Sequence, residues 1–346
     1  MSMSLLISVI IPTFNSERYL PACLNSIIDQ VDKNIEVVVV NDGSTDSSGD
    51  IADNYAIQHN FIKVIHQSNQ GVSAARNRAI RECIGNYLVF LDSDDLLYKD
   101  FFKKILELIQ SNPDILEINA DLIDKVGEVS YEKFFLFDND IDIINSTDAA
   151  KLRLSKQAKY YLWSRIIKKE MISHLYFDEK ISFCEDALYL TECYCRAEKI
   201  IKIDESLYGY RQHDNNVTRV KSVYNINQLT ELCYIVKRRI DDSQDEKYKM
   251  LFLSLWINMV HLRKSMYALE FKEISTDEVT LHQIRGIKND YKWSFFKLRD
   301  RISWLRRFSI ELPKTSNTLI LLKYYTRTYS LQILNRIKYL YSQRMN

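Results

Sequence analysis

Ile35-Glu-Val-Val-Val-Val-Asn-Asp-Gly-Ser-Thr-Asp46 decides the fold. Its apolar run does not alternate with polar residues, so it reads as a strand buried on both faces that stops at Asn41-Asp42-Gly43. Upstream, Ile7-Ser-Val-Ile-Ile-Pro-Thr-Phe-Asn15 has the same design, an apolar β-branched run ending in a breaker. Between the two, from about Glu17 to Gln30, Leu20, Leu24, Ile27 and Ile28 share one helical face. A short strand, Ile62 to Ile65, and a helix from Gly71 to Cys83 lead to a further apolar strand. Near-continuous apolar strands alternating with helices predict an α/β fold whose mainly parallel sheet is covered by helices on both faces. Ligands of such sheets bind beyond the carboxyl ends of the strands, where Asn15, Asp42 and Asn69 fall.

The fourth apolar strand, Asn86-Tyr-Leu-Val-Phe-Leu-Asp-Ser-Asp-Asp95, runs into three carboxylates in four positions, Asp92, Asp94 and Asp95. Two carboxylates 4 Å apart repel by roughly 4 kcal/mol at an effective dielectric of 20, so the cluster makes sense mainly around a cation. Its hard oxygen donors suit Mn²⁺ or Mg²⁺, ions that keep several waters and share a few carboxylates with a substrate's phosphates. Asp and Ser after a strand are also ordinary turn and capping residues, which is the competing reading.

Taken in order, Ile-Pro-Thr-Phe-Asn, Val-Asn-Asp-Gly-Ser-Thr-Asp, Asn69-Gln-Gly-Val-Ser-Ala-Ala-Arg-Asn-Arg78 and Phe-Leu-Asp-Ser-Asp-Asp resemble the family 2 glycosyltransferases of the GT-A fold. The resemblance covers about the first 110 residues strongly and continues more loosely to about 220. It implies a nucleotide-diphosphate-sugar donor held by Pro12, Phe14, Asn15, Asp42, Gly71, Arg76, Asp92, Ser93 and Arg211. Within that set Asp42 would accept the uracil N3–H, which an acceptor-only carboxylate can do. Asp92 would touch the ribose or the donor sugar, and Arg76 the diphosphate, to which guanidinium forms charge-assisted bonds. Arg76, Asn77 and Arg78 are consecutive, so they cannot all face the site. Asp94, Asp95 and His213 would hold the metal, and Gly71 reads either as a close backbone approach or as a plain helix-start glycine.

In Phe183-Cys-Glu-Asp-Ala-Leu-Tyr189, the pair Glu185 and Asp186 resembles the family's catalytic Glu-Asp, with Asp186 as general base. A base beside the acceptor hydroxyl is what direct displacement at an anomeric carbon requires, and is worth about 10²–10⁴-fold. The alternative is two acids complementing a helix dipole. Tyr161-Leu-Trp-Ser-Arg-Ile-Ile-Lys-Lys-Glu170 matches a segment on the acceptor side, with Trp163 as a sugar-stacking platform or, equally in keeping with tryptophan, a core residue. Tyr208-Gly-Tyr-Arg-Gln-His-Asp-Asn-Asn-Val-Thr218 resembles a late loop closing over the donor phosphates.

The length, 346 residues with 46% hydrophobic, suits two parts and excludes wholesale disorder. They are a GT-A catalytic domain, 1–221, divided into nucleotide-sugar binding (1–110) and acceptor side (111–221), then a helical basic and aromatic accessory region, 222–346. Met250 to Leu262 reads as a buried helix within it. The six cysteines show no metal spacing, and with no signal peptide they read as reduced cytosolic thiols. The net charge of +1 hides an asymmetry: residues 291–346 hold 12 Lys/Arg against Asp300 and Glu311, a balance of +10 that leaves −9 for the rest. With 11 aromatics interleaved, that tail suits an anionic membrane surface; soluble packing or nucleic-acid binding compete, and nucleic acid is not expected as a partner.

The resulting expectation is an inverting, metal-dependent glycosyltransferase, hexosyl- or N-acetylhexosaminyl-, using a UDP-sugar. Its acceptor would be an oligosaccharide or lipid-linked chain in polysaccharide biosynthesis, at the cytoplasmic side of the cell membrane. The alternatives are a phosphohydrolase with an Asp nucleophile and a non-catalytic nucleotide- or sugar-binding module.

Overall fold

A computed structural model describes residues 6–30, 34–131, 160–213, 223–245, 248, 249, 251, 252, 255 and 259, with backbone alone at 141–144, 223 and 226. All fall within one compact unit, Met1–Ser275. The first strands are β1 (Ile7–Thr13), β2 (Ile35–Asp42), β3 (Ile62–Gln67) and β4 (Tyr87–Phe90), joined through helices α1 (Leu20–Ile28), α2 (Ser48–Gln58) and α3 (Val72–Glu82). They lie parallel in the order β3-β2-β1-β4. The order reverses beside β1, which opens a crevice at the carboxyl ends of β1 and β4.

Every residue of β1 is buried and β2 is nearly so, as the unbroken apolar runs require. Alternate side chains serve two cores. Ile7, Val9, Ile11, Val37 and Val39 pack against Leu20, Cys23, Leu24 and Ile27 of α1, whereas Ile10, Val38 and Val40 pack with Ala75, Ala79 and Ile80 of α3. Helix α1 starts at Leu20 rather than near Glu17 because Pro21, in its first turn, fixes φ for helix entry and has no N–H to lose.

The second half continues the sheet. After β5 (Leu96–Leu97) and α4 (Phe101–Ile109), β6 (Ile115–Ile123), β7 (Val129–Tyr131) and β8 (Ile141–Ile144) follow. A single turn, Leu162–Ser164, leads into β9 (Arg165–Lys168), which enters antiparallel between β4 and β6. Helix α5 (Glu185–Arg196) covers the α3 side, and β10 (Ile200–Arg211) runs parallel to β6 and antiparallel to β5. That pairing carries the end of β10 to the acidic end of β4.

Helix α6 (Val223–Asp242) begins where the helical accessory region was expected, and Leu251, Phe252, Leu255 and Met259 are buried. The basic tail 291–346 lies outside the described residues. Among the described residues no helix is long and apolar enough to cross a membrane.

Gly43 ends β2 with φ +70°, and a Cβ there would stand 2.6 Å from the backbone nitrogen of Asn69. This glycine lets the β3–α3 loop close over the end of β2. Gly43→Ala should therefore destabilise the fold by about 1–3 kcal/mol in urea titration, through a strained left-handed backbone and a main-chain clash.

Candidate active site

The ends of β1 and β2 form a pinned cradle. Asn15, itself left-handed at φ 48°, accepts the Thr45 N–H on Oδ1 at 2.8 Å and donates its own N–H to Ser44 Oγ. Beside it Phe14 leaves 47% of its surface exposed, an unusual place for a large ring, while Pro12 is buried inside β1. Asp42 is also buried, and its carboxylate accepts Gln67 Nε2–H and Gln70 N–H on Oδ1 and Gly71 N–H on Oδ2. A carboxylate offers about four acceptor positions, so one on Oδ2 is left. Gly71 is required by its φ of +90°; a Cβ there would meet nothing within 4 Å, which leaves helix entry as its role.

The acids after β4 divide into distinct roles. Asp95, expected to ligate a metal, is fully buried; Tyr208 O–H donates to its Oδ2 at 2.6 Å and Arg211 N–H to its Oδ1 at 2.7 Å. Burial, then Asp94 and Asp92, push its carboxyl well above the usual range, so Asp95 anchors the loop from inside and has no oxygen turned to an ion. Asp94 is partly buried, like Asp92, and His213 Nε2 sits 2.7 Å from its Oδ2. Ser93 is tied to Ser16 through their hydroxyls at 2.7 Å. Arg211, expected on a phosphate, is instead buried and braces the loop, donating Nε–H to the Asp94 carbonyl and Nη1–H to the carbonyls of Asp124 and Lys125.

Arg76 is likewise engaged by side chains of the protein. Its Nη1 donates to Asp186 Oδ1 at 2.6 Å and Glu185 Oε1 at 2.9 Å, and its Nη2 to Asp92 Oδ1 at 3.2 Å. Burial opposes the cation, but Asp186, Asp92 and Glu185 outweigh it and hold the guanidinium charged. Burial, only partly offset by Arg76 and reinforced by Glu185 and Asp92, raises Asp186 to about 8. Asp92 is raised for the same first reason. The Leu162 N–H also bonds the Asp186 carboxylate.

Trp163, one residue on, was expected to offer a face to an acceptor sugar. It is 3% exposed, stacked on Tyr208 at 4.7 Å, with Tyr161 and Tyr210 each at 5.1 Å, so it is a packing residue behind the acidic loop.

Residues 8–140 match the family model described as "Glycosyl transferase family 2". A relative, "Uncharacterized glycosyltransferase EpsJ" of Bacillus subtilis, is 32% identical over 229 residues, 62% of this chain and 63% of that protein. This part of the chain is similar to family 2 glycosyltransferases. Its fold, a mostly parallel GT-A sheet with helices, is shared with Staphylococcus aureus TarS 1–349, solved with UDP-GlcNAc: TM-score 0.63, 23% identity, 77% and 76% of the two chains. It is shared also with the mannosyltransferase PcManGT of Pyrobaculum calidifontis, solved with GDP-Man and Mn²⁺: TM-score 0.53, 15% identity, 85% and 84%. The chain thus spans less than two thirds of EpsJ.

Asp94 and His213 are brought together from positions 119 residues apart, as are Arg76 and Asp186 from 110 apart. Sequence reading missed Tyr19, whose ring stacks on the His213 imidazole at 5.0 Å under the Arg211 guanidinium at 5.2 Å. It also missed the structural use of Tyr208, although the alternation in Tyr208-Gly-Tyr-Arg211 marks a strand with one inward face. No group of three His, Cys, Asp or Glu among the described residues is arranged to hold an ion.

Asp186 binds its proton more tightly in the folded chain, at about 8 against 3.8, so this group's contribution to stability falls as pH rises from about 4 to 8. Urea unfolding of the ligand-free protein at pH 5, 7 and 9 should show that decline, and Asp186→Asn should flatten it.

Proposed function

We propose that this chain transfers a sugar from a nucleoside-diphosphate donor to a hydroxyl of an oligosaccharide or lipid-linked acceptor, with inversion. The observation that carries the reading is the partly exposed Asp186, held by Arg76 and the Leu162 N–H and joined through Arg76 to Asp92 on the acidic loop. A carboxylate raised to about 8 is matched to general-base work near neutral pH. Asp186 takes the proton of the acceptor hydroxyl as its oxygen bonds to the anomeric carbon. The bond from that carbon to the diphosphate breaks, and the nucleoside diphosphate leaves with the electron pair.

Among the described residues, Asp92, Glu185 and Asp186 share the Arg76 guanidinium, and that of Arg211 is bonded to the Asp94 carbonyl beside Asp94 and Asp95. A dianionic diphosphate would be repelled from such a rim without a cation. One carboxylate and one imidazole, Asp94 and His213, suit a divalent ion that completes its shell with water and phosphate oxygens. Bound there, Mn²⁺ or Mg²⁺ would neutralise charge on the leaving group. The neighbours that share the fold were solved with UDP-GlcNAc and with GDP-Man plus Mn²⁺, which supports a nucleotide-sugar and an ion here. Uracil is favoured by Asp42, whose remaining Oδ2 position can accept one imide N–H, and by Phe14, an exposed ring beside it for the base. The +10 balance of residues 291–346 supports attachment to an anionic membrane, where a lipid-linked acceptor would be met.

A thermal-shift panel of UDP- and GDP-sugars with and without Mn²⁺ should single out a UDP-sugar whose stabilisation requires the ion. Asp94→Asn should abolish the metal-dependent part of that shift. Asp186→Asn should keep the shift and lose transfer by about 10²-fold or more. Equal loss of donor binding in both variants would overturn this division of roles.

A further inference from the structure

Helix α3 presents Ser73, Arg76 and Asn77, at spacings of three and four, to the segment that leads into α5. Ser73 Oγ–H donates to the Ile181 carbonyl at 3.2 Å. Asn77 exchanges two bonds with Phe177, Nδ2–H to its carbonyl at 3.0 Å and its N–H to Oδ1 at 2.8 Å. Arg76 lies between them, its guanidinium carbon 5.5 Å from the centre of the Phe177 ring, and grips Glu185 and Asp186 beyond. Arg78, on the far side, makes only a surface pair with Glu82. One face of a donor-half helix is therefore devoted to fixing the acceptor-half segment that carries the base.

The guanidinium is 4% exposed and has three carboxylate partners on two separate segments. A fork of fixed geometry can set a distance between two acids in a way a flexible ammonium cannot. A diphosphate approaching the Nη atoms of Arg76 would have to displace carboxylates already bonded at 2.6–3.2 Å and would meet their charge, and the remaining donor, Nε, is buried.

We propose that Arg76 is a positioning residue: it ties Asp186 and Glu185 to Asp92, setting where the base stands relative to the donor sugar, and it does not bind the diphosphate. This rests on the glycosyl-transfer reading. The charged groups facing Asp186 are Arg76, Glu185 and Asp92, with the Leu162 N–H as its neutral partner.

The test uses the full chain with its UDP-sugar and Mn²⁺. For Arg76→Gln, calorimetric UDP affinity should stay within about threefold, while kcat at saturating donor falls about 100-fold, the size of effect expected from misplacing a catalytic group by an ångström. The acid limb of kcat/KM should move to higher pH, because the cation that favours the ionised base is gone. Arg76→Lys should restore the position of that limb but not kcat, since it returns the charge without the fork. A merely structural role would leave the limb in place. If the Arg76 variants fail to fold, Glu185→Gln serves: removing the neighbouring negative charge should move the limb to lower pH, and an unmoved limb overturns the inference. A tenfold or greater loss of UDP affinity with kcat unchanged in Arg76→Gln would make Arg76 a phosphate ligand and overturn it as well. If wild type transfers no sugar from any nucleotide donor, the functional reading fails first; if it does and Arg76→Gln keeps kcat, only this inference fails.

Discussion

A single buried cation organises the catalytic end of this molecule. The Arg76 guanidinium, itself buried, meets the partly exposed carboxylates of Asp92, Glu185 and Asp186, so water screens the pairs only in part, and removing the cation would leave three neighbouring acids uncompensated. The three acids come from the acidic loop after β4 and from the start of α5. Their common partner comes from α3, which itself packs on β1 and β2 through Ala75, Ala79 and Ile80. The site's geometry is thereby referred back to the most buried strands of the sheet.

A second layer holds the acidic loop from behind. Trp163 stacks on Tyr208, Tyr208 donates to Asp95, and the Arg211 N–H completes that carboxylate, so the innermost acid is spent on architecture. Asp94, partly exposed, pairs with the buried His213, and Tyr19 stacks on His213. The turn Leu162–Ser164 serves both layers, with the Leu162 N–H on Asp186 and the Trp163 ring against Tyr208. The acidic groups are thus held in place by partners on separate segments of the chain.

Much of this was legible in the chain. The runs at Ile7–Thr13 and Ile35–Asp42 could only be doubly buried strands, and Asn15, Asp42 and the Asp92 cluster lie at their ends as expected. Glu185 and Asp186 do open an α-helix, and Asp94 does meet His213. What was not legible shares one cause. The resemblance implied a ligand for Arg76, Arg211, Trp163 and Asp95, and each has in this structure a partner distant in sequence. Neither composition nor spacing reveals whether a guanidinium will meet a phosphate or a carboxylate 110 residues away.

Local periodicity and breakers at fixed positions were enough to place β1 to β4 and the end of the sheet at which Asn15, Asp42 and the Asp92 cluster lie. Only the tertiary structure decided which acids stay open and which are buried, and which arginine binds which carboxylate. Those outcomes depend on desolvation and on long-range pairing, and both are set by the packing of β9, α5 and β10 against β4 and α3 rather than by any neighbour along the chain.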